Sequence, residues 1–75
     1  MAGTQALDRA IALLRLVVEA ENTLTHTDLV LESELPAPTV SRLMAALTTG
    51  GLVERDATGS YRGGELFAHY AQRFY

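Results

Sequence analysis

A chain of 75 residues, 48% apolar and 20% charged, is long enough for one small folded domain and too ordered in composition for a disordered tail. It has no cysteine, which excludes a disulfide framework, a thiol nucleophile and a thiolate metal site, and no apolar run nears the roughly 20 residues of a membrane span. Six arginines and no lysine stand against nine acids, a net charge of −3, so bulk positive charge cannot hold a polyanion.

The first predicted element runs from about Thr4 to Glu21. Leu7, Ala10, Ile11, Leu14, Val17 and Val18 recur at steps of three and four, the spacing of one buried helical face. Thr4 is the expected N-cap, and Asp8 lies near the positive end of the helix. A short second helix follows, ending near Ser33. Thr25 with Asp28 three residues later makes a capping box, with Leu24 and Leu29 placed as its hydrophobic staple. Glu34-Leu35-Pro36-Ala37-Pro38 ends that helix and opens a third over about 36–50. Because a residue before proline disfavours helix, regular structure is expected from Pro38. Val40, Leu43, Met44 and Leu47 form its buried stripe, and Gly50-Gly51 supplies the stop.

The period then changes. Leu52–Arg55 and Ser60–Arg62 read as two strands around Asp56-Ala57-Thr58-Gly59, a hairpin over 52–62, and Gly63-Gly64 punctuates again. Residues 65–75 put Leu66, Phe67, Tyr70, Ala71 and Phe74 on one helical side, with Tyr75 beyond, and no capping signal ends the run. The expected division is a domain over 4–64 followed by a linker helix over 65–75 that leads onward or docks on a partner.

Helix, short helix, turn, helix and two-stranded ribbon is the order of a winged helix-turn-helix, a mainly α fold with a small β-hairpin wing. The stripe of the third helix turns Thr39, Ser41, Arg42, Ala45 and Ala46 outward. Small side chains allow close approach to a groove, while hydroxyls and one arginine can make contacts. Residues 1–35 hold two arginines and six acids, a local −4. Residues 36–64 hold three arginines and two acids, a local +1. Any DNA contact therefore depends on a small arginine set.

The run from Gln5 to Gly64 resembles the DNA-binding domain of the IclR-type bacterial transcription regulators. Leu35-Pro36, Thr39-Val40-Ser41-Arg42-Leu43, Gly51-Leu52-Val53-Glu54-Arg55-Asp56 and Gly59-Ser60-Tyr61-Arg62 carry the resemblance. It implies that the third helix enters the major groove with Thr39 and Arg42 at DNA-contacting positions, and that the wing lies along the backbone. It further implies a cytoplasmic dimer or higher oligomer on a pseudo-palindromic operator, and a small-molecule effector bound by a separate C-terminal domain. Three departures weaken phosphate binding. Glu34 stands in the turn where glycine is usual, His26 where an apolar residue is usual, and Ala37-Pro38 where lysine or serine is common.

Arg42 reads as a contact to a guanine edge or a phosphate, against the alternative of a solvated surface arginine. Thr39 and Ser41 can contact DNA or solvate their own helix. Thr27 can present its hydroxyl and nearby amides to a phosphate. Pro38 starts the helix or touches a thymine methyl. Arg55 and Arg62 flank the wing, where each can reach phosphate or pair with Glu54 or Asp56. Leu66, Phe67, Tyr70 and Phe74 form the expected dimer or linker face. No metal or other cofactor is expected, since His26 and His69 lack a partner at ligand spacing, and no nucleophile elbow or phosphate loop is present. An enzyme is not expected. The rival is a winged helix that binds protein, with little DNA affinity, which the net −3 and Glu34 favour.

Overall fold

The computed structural model describes residues 4–74. Its elements are α1 (Gln5–Glu19), α2 (His26–Ser33), α3 (Ala37–Thr49), β1 (Val53–Arg55), β2 (Tyr61–Gly63) and α4 (Glu65–Phe74). The two strands pair antiparallel, with Val53 opposite Gly63, Glu54 opposite Arg62 and Arg55 opposite Tyr61. Leu24 adds a bridge to Tyr61 through two backbone hydrogen bonds of 3.0 and 2.7 Å, which ties the α1–α2 connection to the wing. The result is the winged helix-turn-helix that the order of elements predicts.

One core serves every element except α4. Leu13 and Val17 of α1, Leu29 of α2, Val40, Met44 and Leu47 of α3, and Val53 and Tyr61 of the wing are buried together. The α3 stripe is as expected. The α1 stripe is not. Leu13 is fully buried beside Val17, whereas Leu7, Ile11 and Val18 are 60%, 45% and 45% exposed. The apolar arc of α1 is wider than its core contact, so one edge packs inward and the other is left on the surface.

Local chemistry sets the joints. Thr4 holds the N-cap position of α1 with helical backbone (φ −100°, ψ −5°) rather than the extended backbone of a side-chain cap. At α2 the capping box is complete: Thr25 N–H donates to Asp28 Oδ2 at 2.9 Å, and Asp28 N–H to Thr25 Oγ1 at 3.0 Å. Glu34 ends α2 in the left-handed region (φ 59°, ψ 22°), and it is the one described non-glycine residue with positive φ. Its N–H donates to the Val30 carbonyl at 3.0 Å, and Ser33 Oγ accepts from Leu35 N–H at 3.2 Å.

Helix α3 begins at Ala37, one residue earlier than expected. Pro36 at φ −59° and ψ 142° is the N-cap, and its carbonyl accepts from Val40 N–H at 3.1 Å. That bond outweighs the bias of Pro38 against helical backbone at Ala37. The helix ends in a Schellman turn, with Leu52 N–H donating to the Leu47 carbonyl and Gly51 N–H to the Thr48 carbonyl; Gly51 has φ +80°. Gly64 crosses this turn closely. A Cβ there would collide with the Gly51 carbonyl oxygen and lie 2.9 Å from Leu52 C and Val53 N. The crossing lets Gly64 N–H reach the Leu52 carbonyl and Leu66 N–H reach the Gly51 carbonyl, so the first turn of α4 is bonded to the end of α3.

Candidate nucleic-acid interface

Burial of Val40, Met44 and Leu47 on one side of α3 sets what the other side presents. At 100° per residue, Arg42, Pro38, Ala45, Ala46 and Thr49 lie opposite the core, and all are exposed. Arg42 is central on this face. Ion pairs among the described residues join Arg15 to Glu19 and Arg62 to Glu54, so Arg42 has no acid partner there.

The expected site residues separate onto two flanks of α3. Thr39 is half-buried and turns toward α1, where it shares a groove with Arg42, Leu43, Gln5, Ala6 and Arg9. Arg9 thereby joins Arg42 although 33 positions separate them in the chain. Ser41 lies on the opposite flank, where Oγ is 2.9 Å from His26 Nε2. That flank borders a groove of about 600 Å³ lined also by Ala45, Thr48, Thr49, Arg55 and Tyr61. Thr27 is exposed one residue after His26, in the first turn of α2.

The two wing arginines differ. Arg55 Nε donates to the Gly59 carbonyl at 3.1 Å, and its guanidinium carbon lies 5.3 Å from the centre of the Tyr61 ring. It faces the α3 groove and has no carboxylate partner among the described residues. Arg62 Nε instead meets Glu54 Oε1 at 2.6 Å, across the ladder position that pairs the two residues. Arg62 lines a different groove, with the end of α1 and with Phe67 of α4. The structure thus brings Arg55 to Ser41 and leaves Arg62 apart.

The wing loop is held by one carboxylate. Asp56 Oδ1 accepts from Thr58 N–H at 2.9 Å, from the Thr58 hydroxyl and from Ser60 N–H at 3.0 Å. The Thr58 hydroxyl bond, with Ser60 N–H next, holds the Asp56 carboxyl below its usual value. Gly59 at φ +87° closes the turn with its N–H on the Asp56 carbonyl.

Of the four expected dimer or linker residues, Leu66 and Phe67 are half-buried against the body of the domain. Leu66 lies over Gly51, and Phe67 borders a groove with Leu14, Arg15, Val18 and Glu19. Tyr70 and Phe74 are 48% and 75% exposed. Tyr75 lies outside the described residues. No group of three or more metal-ligating side chains occurs among the described residues. No described helix is long and apolar enough to cross a membrane.

Sequence reading passed over Arg9 and the partner of Ser41. Arg9 sits in the acidic half of the chain and has no local mark of its role. His26 had one: a polar ring where an apolar residue is usual.

A braced helix with an unpaired arginine at the centre of its exposed face, beside a hairpin carrying a second, defines a winged helix-turn-helix of the DNA-binding class. The profile of the IclR helix-turn-helix domain matches residues 6–57, and the chain belongs to that family of transcription regulators. The repressor BlcR of Agobacterium tumefaciens is 32% identical, with a TM-score of 0.80 over 97% of this chain and 30% of its own. An IclR-family regulator from Rhodococcus sp. is also 32% identical, with a TM-score of 0.86 over 97% of this chain and 29% of its own. An IclR-family regulator from Brucella abortus is 33% identical, with a TM-score of 0.78 over 92% and 27%. No curated protein matches significantly. The chain spans about 30% of the length of the solved relatives it matches.

Proposed function

We propose that this domain reads double-stranded DNA sequence as a homodimer, with α3 in the major groove and the wing on the backbone. The observation that carries the reading is Arg42, exposed, free of any carboxylate among the described residues and central on a face otherwise made of small side chains. Thr39 and Arg9 flank it on the α1 side, and Ser41, Thr27 and Arg55 on the wing side. Arg62 takes a lesser part, because it must first leave Glu54. Pro38 offers its ring to a thymine methyl at the start of the helix.

Dimerisation is assigned to the exposed edge of α1 and to α4. Val18 and Phe67 share a groove between the two helices, and Leu7 and Ile11 of α1 and Tyr70 and Phe74 of α4 are further exposed apolar side chains for a partner to cover. A two-fold pair of domains then demands a pseudo-palindromic site with half-sites one helical turn or a multiple of it apart. The domain acts in the cytoplasm, without catalysis of its own. Effector control belongs to a domain outside this chain. An IclR homologue of the same fold from Microbacterium hydrocarbonoxydans is complexed with 4-hydroxybenzoate.

With Arg42 on a base edge, Arg9 and Arg55 from two subunits give four phosphate-neutralising groups and a log–log salt slope of about −4. Fluorescence anisotropy over a range of salt measures it. Arg42→Ala should weaken binding by about 1–3 kcal/mol. Binding that ignores this substitution refutes the assignment of α3.

A further inference from the structure

We propose that His26 is a further DNA-binding residue, which acts with Ser41 as a proton-linked clamp on one backbone phosphate beside the reading helix. The inference rests on the DNA-binding function above and extends it to a side chain outside α3 and the wing.

The geometry is a hydrogen bond of 2.9 Å between His26 Nε2 and Ser41 Oγ, exposed at the protein surface. It joins the first residue of α2 to the second turn of α3, 15 residues away. The groove beside it also presents the hydroxyl of Thr49 and the guanidinium of Arg55, while the Thr48 hydroxyl donates to the Met44 carbonyl at 2.7 Å; no carboxylate lines it. The capping box uses the amides of Thr25 and Asp28, and Leu29 N–H bonds the Thr25 carbonyl. The His26 and Thr27 amides therefore have no hydrogen bond among the described residues. Donors converge on this spot from α2, α3 and the wing, which suits an oxyanion.

Proton placement makes the pair responsive. A phosphate offers acceptors only, and Ser41 has a single hydroxyl hydrogen. When Nε2 is bare, that hydrogen is drawn to the ring and the phosphate receives none. When Nε2 carries a proton, it donates to Ser41 Oγ, and the hydroxyl hydrogen turns outward to the phosphate. The neutral Nε2–H tautomer and the imidazolium both satisfy this arrangement, and only the imidazolium adds a positive charge. The charged and titratable groups facing His26 are few. Its own helix supplies Asp28, whose Oδ2 is engaged by Thr25 N–H. The wing supplies Arg55 and Tyr61, and α3 supplies only the neutral Ser41, Ala45, Thr48 and Thr49. An arriving phosphate attracts the imidazolium. Protonation and DNA binding therefore favour each other, and by reciprocity affinity rises as pH falls.

The test is anisotropy titration of a duplex carrying the preferred site, at about pH 6 and about pH 8, at several salt concentrations. Wild type should bind about tenfold more tightly at the lower pH. His26→Gln keeps an N–H for Ser41, so it should retain most of the affinity at the higher pH and lose the pH response. His26→Leu should lose both, with a salt slope shallower by about 1 per subunit and unchanged base preference. His69→Gln, on α4, should leave the response intact. Circular dichroism melts establish that each variant is folded. The clamp is overturned by an equal pH response in His26→Gln, by wild-type binding in His26→Leu, or by an altered base preference. If wild type binds no duplex, the clamp and the parent function fall together. If Arg42→Ala weakens binding while the His26 variants behave as wild type, only the clamp falls.

Discussion

Replacing Glu34 with glycine should stabilise the domain. Glu34 holds φ 59° and ψ 22°, where an L-residue is disfavoured by roughly 1–2 kcal/mol because Cβ crowds the following carbonyl. Glycine removes that crowding and gives back about 0.5–1 kcal/mol in backbone entropy. The backbone bond from Glu34 N–H to the Val30 carbonyl does not depend on the side chain and survives the change. No ion pair of Glu34 occurs among the described residues, so no lost ion pair reduces the gain further. The net is about 0.5–1 kcal/mol, a rise of about 2–8 °C in Tm for a domain of this size. Thermal melts followed at 222 nm compare wild type with Glu34→Gly, Glu34→Asn and Glu34→Gln. Glycine should be most stable, asparagine intermediate and glutamine equal to wild type. A Glu34→Gly protein that melts at or below wild type refutes the claim that the helix-turn-helix turn is strained. Glu34→Gln also removes a negative charge, so a gain in DNA affinity without a gain in Tm would separate electrostatics from backbone strain.

Gly64→Ala should cost more than about 2 kcal/mol, since the added methyl meets backbone of the Gly51–Val53 turn that no rotamer change can relieve. Urea melts measure the loss, and hydrogen exchange should show α4 released from the body. Thr25→Ala removes half of the capping box and should lower stability by about 1 kcal/mol in the same melts. Arg55→Ala should make the salt slope shallower by about 1 per subunit, whereas Arg62→Ala should change it little, because Arg62 is already paired with Glu54. Asp56 titrates below its usual value in the folded wing. Its hold on Thr58 and Ser60 is therefore complete above the unfolded carboxyl range and lost as pH falls through the lowered value. Amide shifts of Thr58 and Ser60 should report this in an NMR titration, and Asp56→Asn should abolish it.

Features written in consecutive residues were legible in the sequence. The Thr25–Asp28 box, the Gly50-Gly51 stop, the Val40–Met44–Leu47 stripe and the hairpin around Gly59 each depend on spacing within one or two turns. What was not legible depends on partners far along the chain. Periodicity placed Leu7, Ile11 and Val18 in the core and passed over Leu13, because it cannot tell which edge of a wide arc meets the domain and which is left for a partner. Thr39 lies on the outer side of α3 by its phase, yet α1 packs alongside and half-buries it. Arg9 reaches Arg42, and His26 reaches Ser41, only through the crossing of helices. Gly63 and Gly64 look alike in sequence. The tight crossing of Gly64 over the α3–β1 turn distinguishes them, whereas Gly63 has open space.

The central claim, a sequence reader built on Arg42, is tested most directly by selection from a randomised duplex pool at low salt, with the retained DNA sequenced. Wild type and Arg42→Ala are compared side by side, both shown to be folded. The account predicts a two-fold-symmetric motif enriched by wild type, with Arg42→Ala losing preference at a base pair in each half-site. Retention of DNA without any enriched motif, or the same motif from both proteins, contradicts it.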